Sequence, residues 1–331
     1  MALTPAKLFK EYSDLVTLLE SRGMNIPDKA RAERKISQVG YYRLSGFWYP
    51  SRKIKYDDSH AVIMLNGKPK RSNNFIDNTN FDDIFSLYIF DKRLRLLLLD
   101  AIERIEINLK TILAHELGRN DAMAYQKSEY INPNQLNDYI HKGVTRNAWK
   151  EWLHRQKEEL SRCKEDSILW HTSNNREIPI WVAVEAWSFG TLSKYFELLK
   201  GKHQNKIAQR LGVSNIKLLI RWLQEINILR NRCAHHTRVW NQSQNNPIGI
   251  PMGNSVDAVY FSQFNLTTDQ RKKIYSLIIL IWFLVKKIGP NSNWNLDLIQ
   301  EIKTLPPLPF CPLSAMGIPK SKPLLDKLSK A

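Results

Sequence analysis

From Phe81 to Leu113, apolar side chains recur mostly at intervals of three or four residues: Phe81, Ile84, Phe85, Tyr88, Leu94, Leu98, Ile102, Ile105, Leu109 and Leu113. A strand alternates with period two and would scatter this set over both faces, whereas a helix of roughly nine turns keeps it on one stripe. Acidic Asp82 and Asp83 suit the positive end of that helix, Asn80 or Asp82 can cap it, and Gly118 ends it. An amphipathic helix this long must be covered by other elements, and the rest of the chain offers mostly helices to do so.

The spacing predicts a helix from Ala6 to Arg22, with Leu8, Phe9, Tyr12, Leu15, Leu18 and Leu19 on one face and Gly23 as its stop. Asp28 caps a second helix over Lys29–Gln38, and an aromatic block, Tyr41-Tyr42-Arg43-Leu44-Ser45-Gly46-Phe47-Trp48-Tyr49-Pro50, follows. Residues 51–79 are polar and turn-rich, with room for a short hairpin at Asn66-Gly67. Residues 119–146 read as a variable connection. A helix over Asn147–Cys163 and a polar loop to Glu177 come next. Pro179 opens a helix that Gly190 breaks, residues 202–212 form a short one, and Ser214 or Asn215 caps another that runs into Arg230. The last long helix is expected over Thr268–Lys287, and the Pro-rich, basic tail after Leu305 reads as extended and in part disordered. The expected fold is an all-α bundle over residues 80–245. Residues 1–79 form an N-terminal helical extension carrying the aromatic block, 246–305 a C-terminal helical segment and 306–331 the tail.

Lysine and arginine number 49 against 32 acidic residues, a net charge of +17. The excess is spread along the chain, +5 over residues 1–110, +7 over 111–245 and +5 over 246–331, so no single segment accounts for it. A fold this basic is suited to a polyanion, and nucleic acid is the first expectation. Thirteen glycines and 15 prolines exclude collagen-like and low-complexity scaffolds. Cys163, Cys233 and Cys311 are odd in number and far apart, so no disulfide framework is implied and a reducing, cytoplasmic setting fits. The N-terminus has no apolar core of a signal peptide, and the longest apolar run, Leu277 to Val285, is too short to cross a bilayer.

Chemistry concentrates in Arg230-Asn231-Arg232-Cys233-Ala234-His235-His236-Thr237-Arg238. Cleaving RNA without a metal or other cofactor requires the ribose 2′-hydroxyl to lose a proton, the phosphorane charge to be stabilised and the 5′-oxygen to gain a proton. Histidine exchanges protons near neutral pH, arginine stays charged and forks onto phosphate oxygens, and asparagine can orient an imidazole. On a helix Asn231 shares a face with His235, and Arg232 with His236. Arg230 and His235 are five residues apart, about 140° around the axis, so a single copy does not aim both at one point. Two copies about a two-fold axis would, which predicts a homodimer with a shared cleft. The same residues could instead cap the helix end. Cys233 with His235 and His236 lacks the partner spacing of a zinc site, and a Cys–His nucleophile pair lacks an orienting third group.

Elsewhere, Tyr41, Tyr42 and Arg43 can stack on and clamp single-stranded RNA or pack on the long helix. Arg93, Arg95, Arg104 and Lys110 can form a phosphate-facing stripe or a solvated face, and Arg232 and Arg238 can add phosphate contacts. Trp181 and Trp187 read as core.

Four blocks in order carry a resemblance: Tyr41-Tyr42-Arg43-Leu44-Ser45-Gly46; Leu87-Tyr88-x-Phe90-Asp91-x-Arg93-Leu94-Arg95 running on through Ala101-Ile102-Glu103-Arg104-Ile105-Glu106; Pro179-x-Trp181-x-x-x-Glu185-x-Trp187-Ser188-Phe189-Gly190; and Arg230-Asn231-x-Cys233-Ala234-His235-His236. With them the chain resembles the Abi family of abortive-infection phage-resistance proteins, the AbiD/AbiF-like group, which is similar to HEPN-domain proteins. The resemblance implies a HEPN-like bundle, a dimeric metal-independent endoribonuclease, and Arg230 and His235 as its catalytic pair with Asn231 as polar neighbour. His236 also fits the family spacing, so the choice of histidine stays open. It further implies phage defence through RNA damage, with RNA as substrate and a small RNA as antitoxin. A non-catalytic RNA-binding module is the alternative. Residues 246–331 lie largely outside the resemblance.

Overall fold

A computed structural model describes residues 5–319, apart from 66 and 245, and Leu328. The fold is mainly helical, with thirteen α-helices among the described residues and three small two-stranded antiparallel sheets. The chain forms two compact units. Unit 1 holds residues 1–94 and 300–315, and unit 2 holds residues 95–299 and 316–331.

In unit 1, α1 spans Tyr12–Ser21, α2 Lys29–Val39 and α3 Tyr41–Trp48. The first helix starts six residues later than the periodicity suggests. A capping box between Glu11 and Asp14 sets its start, and Leu8 and Phe9 stay exposed with nothing to bury them. Asp28 caps α2 by accepting from the Arg31 amide at 2.8 Å. The aromatic block is α3, which buries Leu44, Phe47 and Trp48, with Phe47 edge-on to Tyr88. In the expected hairpin region, β1 (Arg52–Ile54) pairs with β4 (Arg71–Phe75), and β2 (Met64–Leu65) with β3 (Lys68–Pro69). Of the Asn66-Gly67 turn, Asn66 lies outside the described residues, and Gly67 has φ 72°.

The long helix α4 runs Phe81–Gly118, with Asn80 accepting from the Asp82 amide at its start. Its unit 2 portion buries Leu98, Ile102, Ile105, Leu109 and Leu113. The region after it is not simply a connection. Residues 138–147 form an exposed hairpin of β5 (Asp138–His141) and β6 (Val144–Asn147), turned by Lys142 (φ 50°) and Gly143 (φ 78°). Two successive positive φ values make a two-residue turn that matches strand twist.

Asn147 then caps α5 (Ala148–Arg162). The polar stretch before Glu177 contains α6 (Asp166–Ser173). After α7 (Ile180–Ala186) the break falls at Trp187–Ser188, and Gly190 lies inside α8 (Phe189–Leu198), which Ser188 caps. That glycine is needed for closeness, because a Cβ there would lie 3.3 Å from Asn227 Nδ2 and 3.4 Å from Arg155 Nη2. α9 spans Gly201–Arg210, and Asn215 caps α10 (Ile216–Ala234).

Residues beyond 245 supply much of the unit 2 core. α11 (Val256–Ser262) is followed by α12 (Ile274–Ile288), in which every residue from Ile274 to Val285 is buried. α12 begins later than expected because Lys273 is extended. α13 spans Trp294–Lys303, and the Trp294 indole donates to the Leu97 carbonyl at 2.8 Å. The tail is packed where it is described: Leu308, Cys311, Met316 and Ile318 are buried. Its basic end lies outside the described residues, Leu328 excepted. No helix among the described residues is long and apolar enough to cross a membrane.

Candidate functional site

α10 carries the Arg230 stretch, and its buried stripe of Leu219, Trp222, Leu223, Ile226, Leu229 and Cys233 fixes its rotation. Trp222 packs on Phe261 and Phe283, and its indole donates to the Gly249 carbonyl at 2.8 Å. With that stripe inward, Arg230 is half-buried and Asn231 and His235 are exposed.

The helix stops at Ala234. His235 is the cap residue, His236 has φ 58°, and the amides of His236 and Thr237 bond back to the carbonyls of Cys233 (3.1 Å) and Arg232 (2.8 Å). This is a Schellman cap with histidine where glycine is usual. The helical facing of Arg232 with His236 therefore does not hold, because the chain has already turned. His236→Gly and His236→Ala both remove the imidazole, but only glycine accepts this φ without cost. The glycine variant is expected to be more stable than the alanine variant by about 1 kcal/mol in urea unfolding; equal stabilities would mean the turn relaxes.

Arg230 acts electrostatically on Glu106 of α4. Lys110 stands 3.8 Å from that carboxylate and donates to the Glu185 carbonyl at 3.2 Å. Glu159 of α5 accepts from the Ser188 amide (3.1 Å), the Ser188 hydroxyl (2.9 Å) and the Thr191 hydroxyl (2.8 Å), and so sits at the positive end of α8. Three of the four sequence blocks thus meet in unit 2: Glu103 and Glu106 from α4, Glu185 to Gly190 from α7 and α8, and Arg230 from α10.

Burial raises the Glu106 carboxyl above its ordinary range, Glu103 and Glu159 push the same way, and Lys110 and Arg230 oppose them. A carboxylate held above its unfolded value contributes full stability below that value and loses it as pH rises through the folded one. Glu106→Gln is therefore expected to melt above wild type at pH 7–8, with the gap closing toward pH 4. A gap that reverses sign would mean that attraction to Arg230 and Lys110 dominates.

Among the described residues, the side chains of Arg230, Asn231 and His235 make no hydrogen bond or ion pair. No group of three or more His, Cys, Asp or Glu among the described residues is placed to hold a metal. Cys233 and Cys311 are buried, and burial pushes the Cys311 thiol up to about 12.

The other sequence candidates divide between the units. Tyr41, Tyr42, Arg43 and Arg93 belong to unit 1, and Arg95, Arg232 and Arg238 to unit 2. Tyr42 is 72% exposed, while the Tyr41 hydroxyl accepts from Arg22 at 3.2 Å. The residues read either as a phosphate-facing stripe or as a solvated face differ in setting. Arg95 is only 4% exposed, Arg104 pairs with Asp100 at 2.9 Å, and Lys110 faces Glu106. Arg232 acts on Glu225, and Arg238 is half-buried. Trp187 is core as expected, but Trp181 is 53% exposed.

The family model for Abi-like proteins matches residues 34–241, which takes in all four blocks and the whole of α10. The chain belongs to the Abi-like protein family. Membership connects it with abortive infection, a form of phage resistance. Comparison with curated proteins and with solved structures finds no match. The Abi-like match ends at Asn241, short of α11, α12 and α13, although α12 lies at the centre of the unit 2 core.

Proposed function

We propose that this Abi-like protein is a metal-independent endoribonuclease of phage defence, with a HEPN-like site shared between two copies of the chain. The observation that carries the reading is the uncommitted set on α10: a half-buried Arg230 guanidinium beside Glu106, with Asn231 and His235 exposed at the helix end. A merely capping role would tie such side chains to the terminal carbonyls. Here the backbone itself closes the cap.

The 2′-hydroxyl attacks the adjacent phosphorus, the P–O5′ bond breaks, and the products are a 2′,3′-cyclic phosphate and a 5′-hydroxyl. His235 moves the proton, Arg230 stabilises the phosphorane charge, and Asn231 orients the imidazole. Arg230 and His235 lie five positions apart, about 140° of helical turn, and each site takes its arginine from one copy and its histidine from the other. In the cell, a small RNA restrains the enzyme until infection.

Induced expression in a bacterial host tests this. Wild type should arrest growth and fragment cellular RNA, and His235→Ala should do neither. Growth arrest that persists undiminished in His235→Ala, without RNA fragments, would favour a binding module over an enzyme.

A further inference from the structure

A second feature of unit 2 lies on the same stripe of α4 as Glu106. Glu106, Lys110, Ala114 and Gly118 follow at four-residue intervals on one helix face. Beyond Lys110 this face opens into a groove of about 430 Å³ whose walls include His115, Arg119, Trp181 and Glu185. Gly118 forms part of its floor. A Cβ there would lie 3.1 Å from Trp181 Cε3, so the absent side chain lets the indole lie against the helix. Trp181 remains 53% exposed, and among the described residues no other ring or cation covers it.

The surroundings of the groove are cationic. Arg210 donates to His115 Nδ1 at 3.2 Å, and Arg119 lies at its rim. The nearby Glu116 carboxylate is buried and already answered by His203, Lys206 and Arg119, with its acidity strengthened by those partners. An exposed indole face in a groove lined by Arg119, with Arg210 bonded to its His115 wall, suits a base stacked on the ring and a phosphate held nearby. A neutral apolar partner would account for the ring but would leave Arg119 and Arg210 unanswered.

We propose that the Trp181 groove is a base-stacking subsite for single-stranded RNA, taking a nucleotide a short distance along the strand from the phosphate at Arg230. Arg119 and Arg210 hold its backbone, and the Glu185 carboxylate accepts from base amino groups. The proposal rests on the ribonuclease reading only in assuming that RNA is the ligand.

The test uses full-length protein in a His235→Ala background, so that RNA is bound but not consumed. Fluorescence anisotropy compares a labelled twelve-nucleotide single-stranded RNA of mixed sequence with the same oligomer made abasic. Trp181→Ala should weaken the mixed RNA about tenfold, within the range that stacking on an aromatic side chain supplies, and should leave the abasic oligomer within about twofold. Trp181→Phe, which keeps an aromatic face, should retain most of the binding and serves if the alanine variant fails to fold. Arg119→Ala should weaken both oligomers. Equal losses for the two oligomers with Trp181→Ala, unchanged binding, or no RNA binding by the parent would overturn the subsite. So would unchanged binding with a loss of self-association in sedimentation, which would make the surface a protein contact. If wild type cleaves no RNA but the Trp181 effect appears, the subsite stands and the nuclease reading fails. If wild type cleaves and the effect is absent, the reverse holds.

Discussion

Replacing His235 by alanine is expected to lower RNA cleavage by about 10²–10⁴-fold, the range over which a positioned proton-transfer group acts. Arg230→Ala should cost about 10²–10³-fold, as loss of a charge stabiliser at the phosphorane does. The double variant should be little worse than the poorer single one, because the two groups act on one transition state. Asn231→Ala should cost less than either. The proposed shared cleft adds a sharper expectation. Arg230→Ala and His235→Ala chains, each inactive alone, should regain activity when mixed and allowed to exchange subunits, because one of the two composite sites is then intact. Mixtures that stay inactive despite subunit exchange would place both groups within one chain. Activity that survives in His235→Ala but is lost in His236→Ala would move the proton-transfer role one residue along.

The largest stability effect is expected at Trp222. It is fully buried, packs on Phe261 and Phe283, and donates to the Gly249 carbonyl, so it ties α10 to the elements that follow it in the chain. Trp222→Ala should cost about 3–5 kcal/mol, the usual range for an excised buried aromatic. Trp222→Phe keeps most of the contact but leaves the carbonyl without its donor and should cost about 1–3 kcal/mol. Gly249 belongs to the same joint, since a Cβ there would collide with Leu218. Thermal unfolding ranks the variants, and an alanine variant as stable as wild type would mean that α10 is held without this residue. Because α10 sets the direction of Arg230, the alanine variant should also lose cleavage beyond what its unfolded fraction explains.

The helices were legible where a single apolar stripe runs unbroken. α4 and α10 declare their faces in three- and four-residue spacing, and Asp28, Asn147 and Asn215 mark starts that the structure keeps. What escaped the sequence was decided by tertiary context. Leu8 and Phe9 continue the α1 pattern but have no surface to cover, so the helix begins at Tyr12. The β5–β6 hairpin lacks strand-like alternation. Its one local signal is Lys142-Gly143, a pair that accepts positive φ. Trp181 and Trp187 look alike in the chain, yet the short α7 ends between them and the first points outward.

The same division applies to the candidate site. The Arg230–His235 stretch could be found from residue types that suit RNA cleavage. Its electrostatic setting could not, because Glu106 lies more than a hundred residues away in sequence and becomes Arg230's neighbour only through packing. The settings of the basic residues on α4 were hidden for a related reason. Arg95 falls on the covered side of α4, and a count of basic residues does not say which way they face.

The most direct test of the ribonuclease assignment is to incubate the purified protein and its His235→Ala variant with total bacterial RNA in EDTA, and to map the ends of the products. Cleavage by wild type alone, leaving 2′,3′-cyclic phosphate and 5′-hydroxyl ends, is the result expected. Tight, salt-sensitive RNA binding by both proteins with no cleavage by either, or cleavage that vanishes in EDTA, would contradict it.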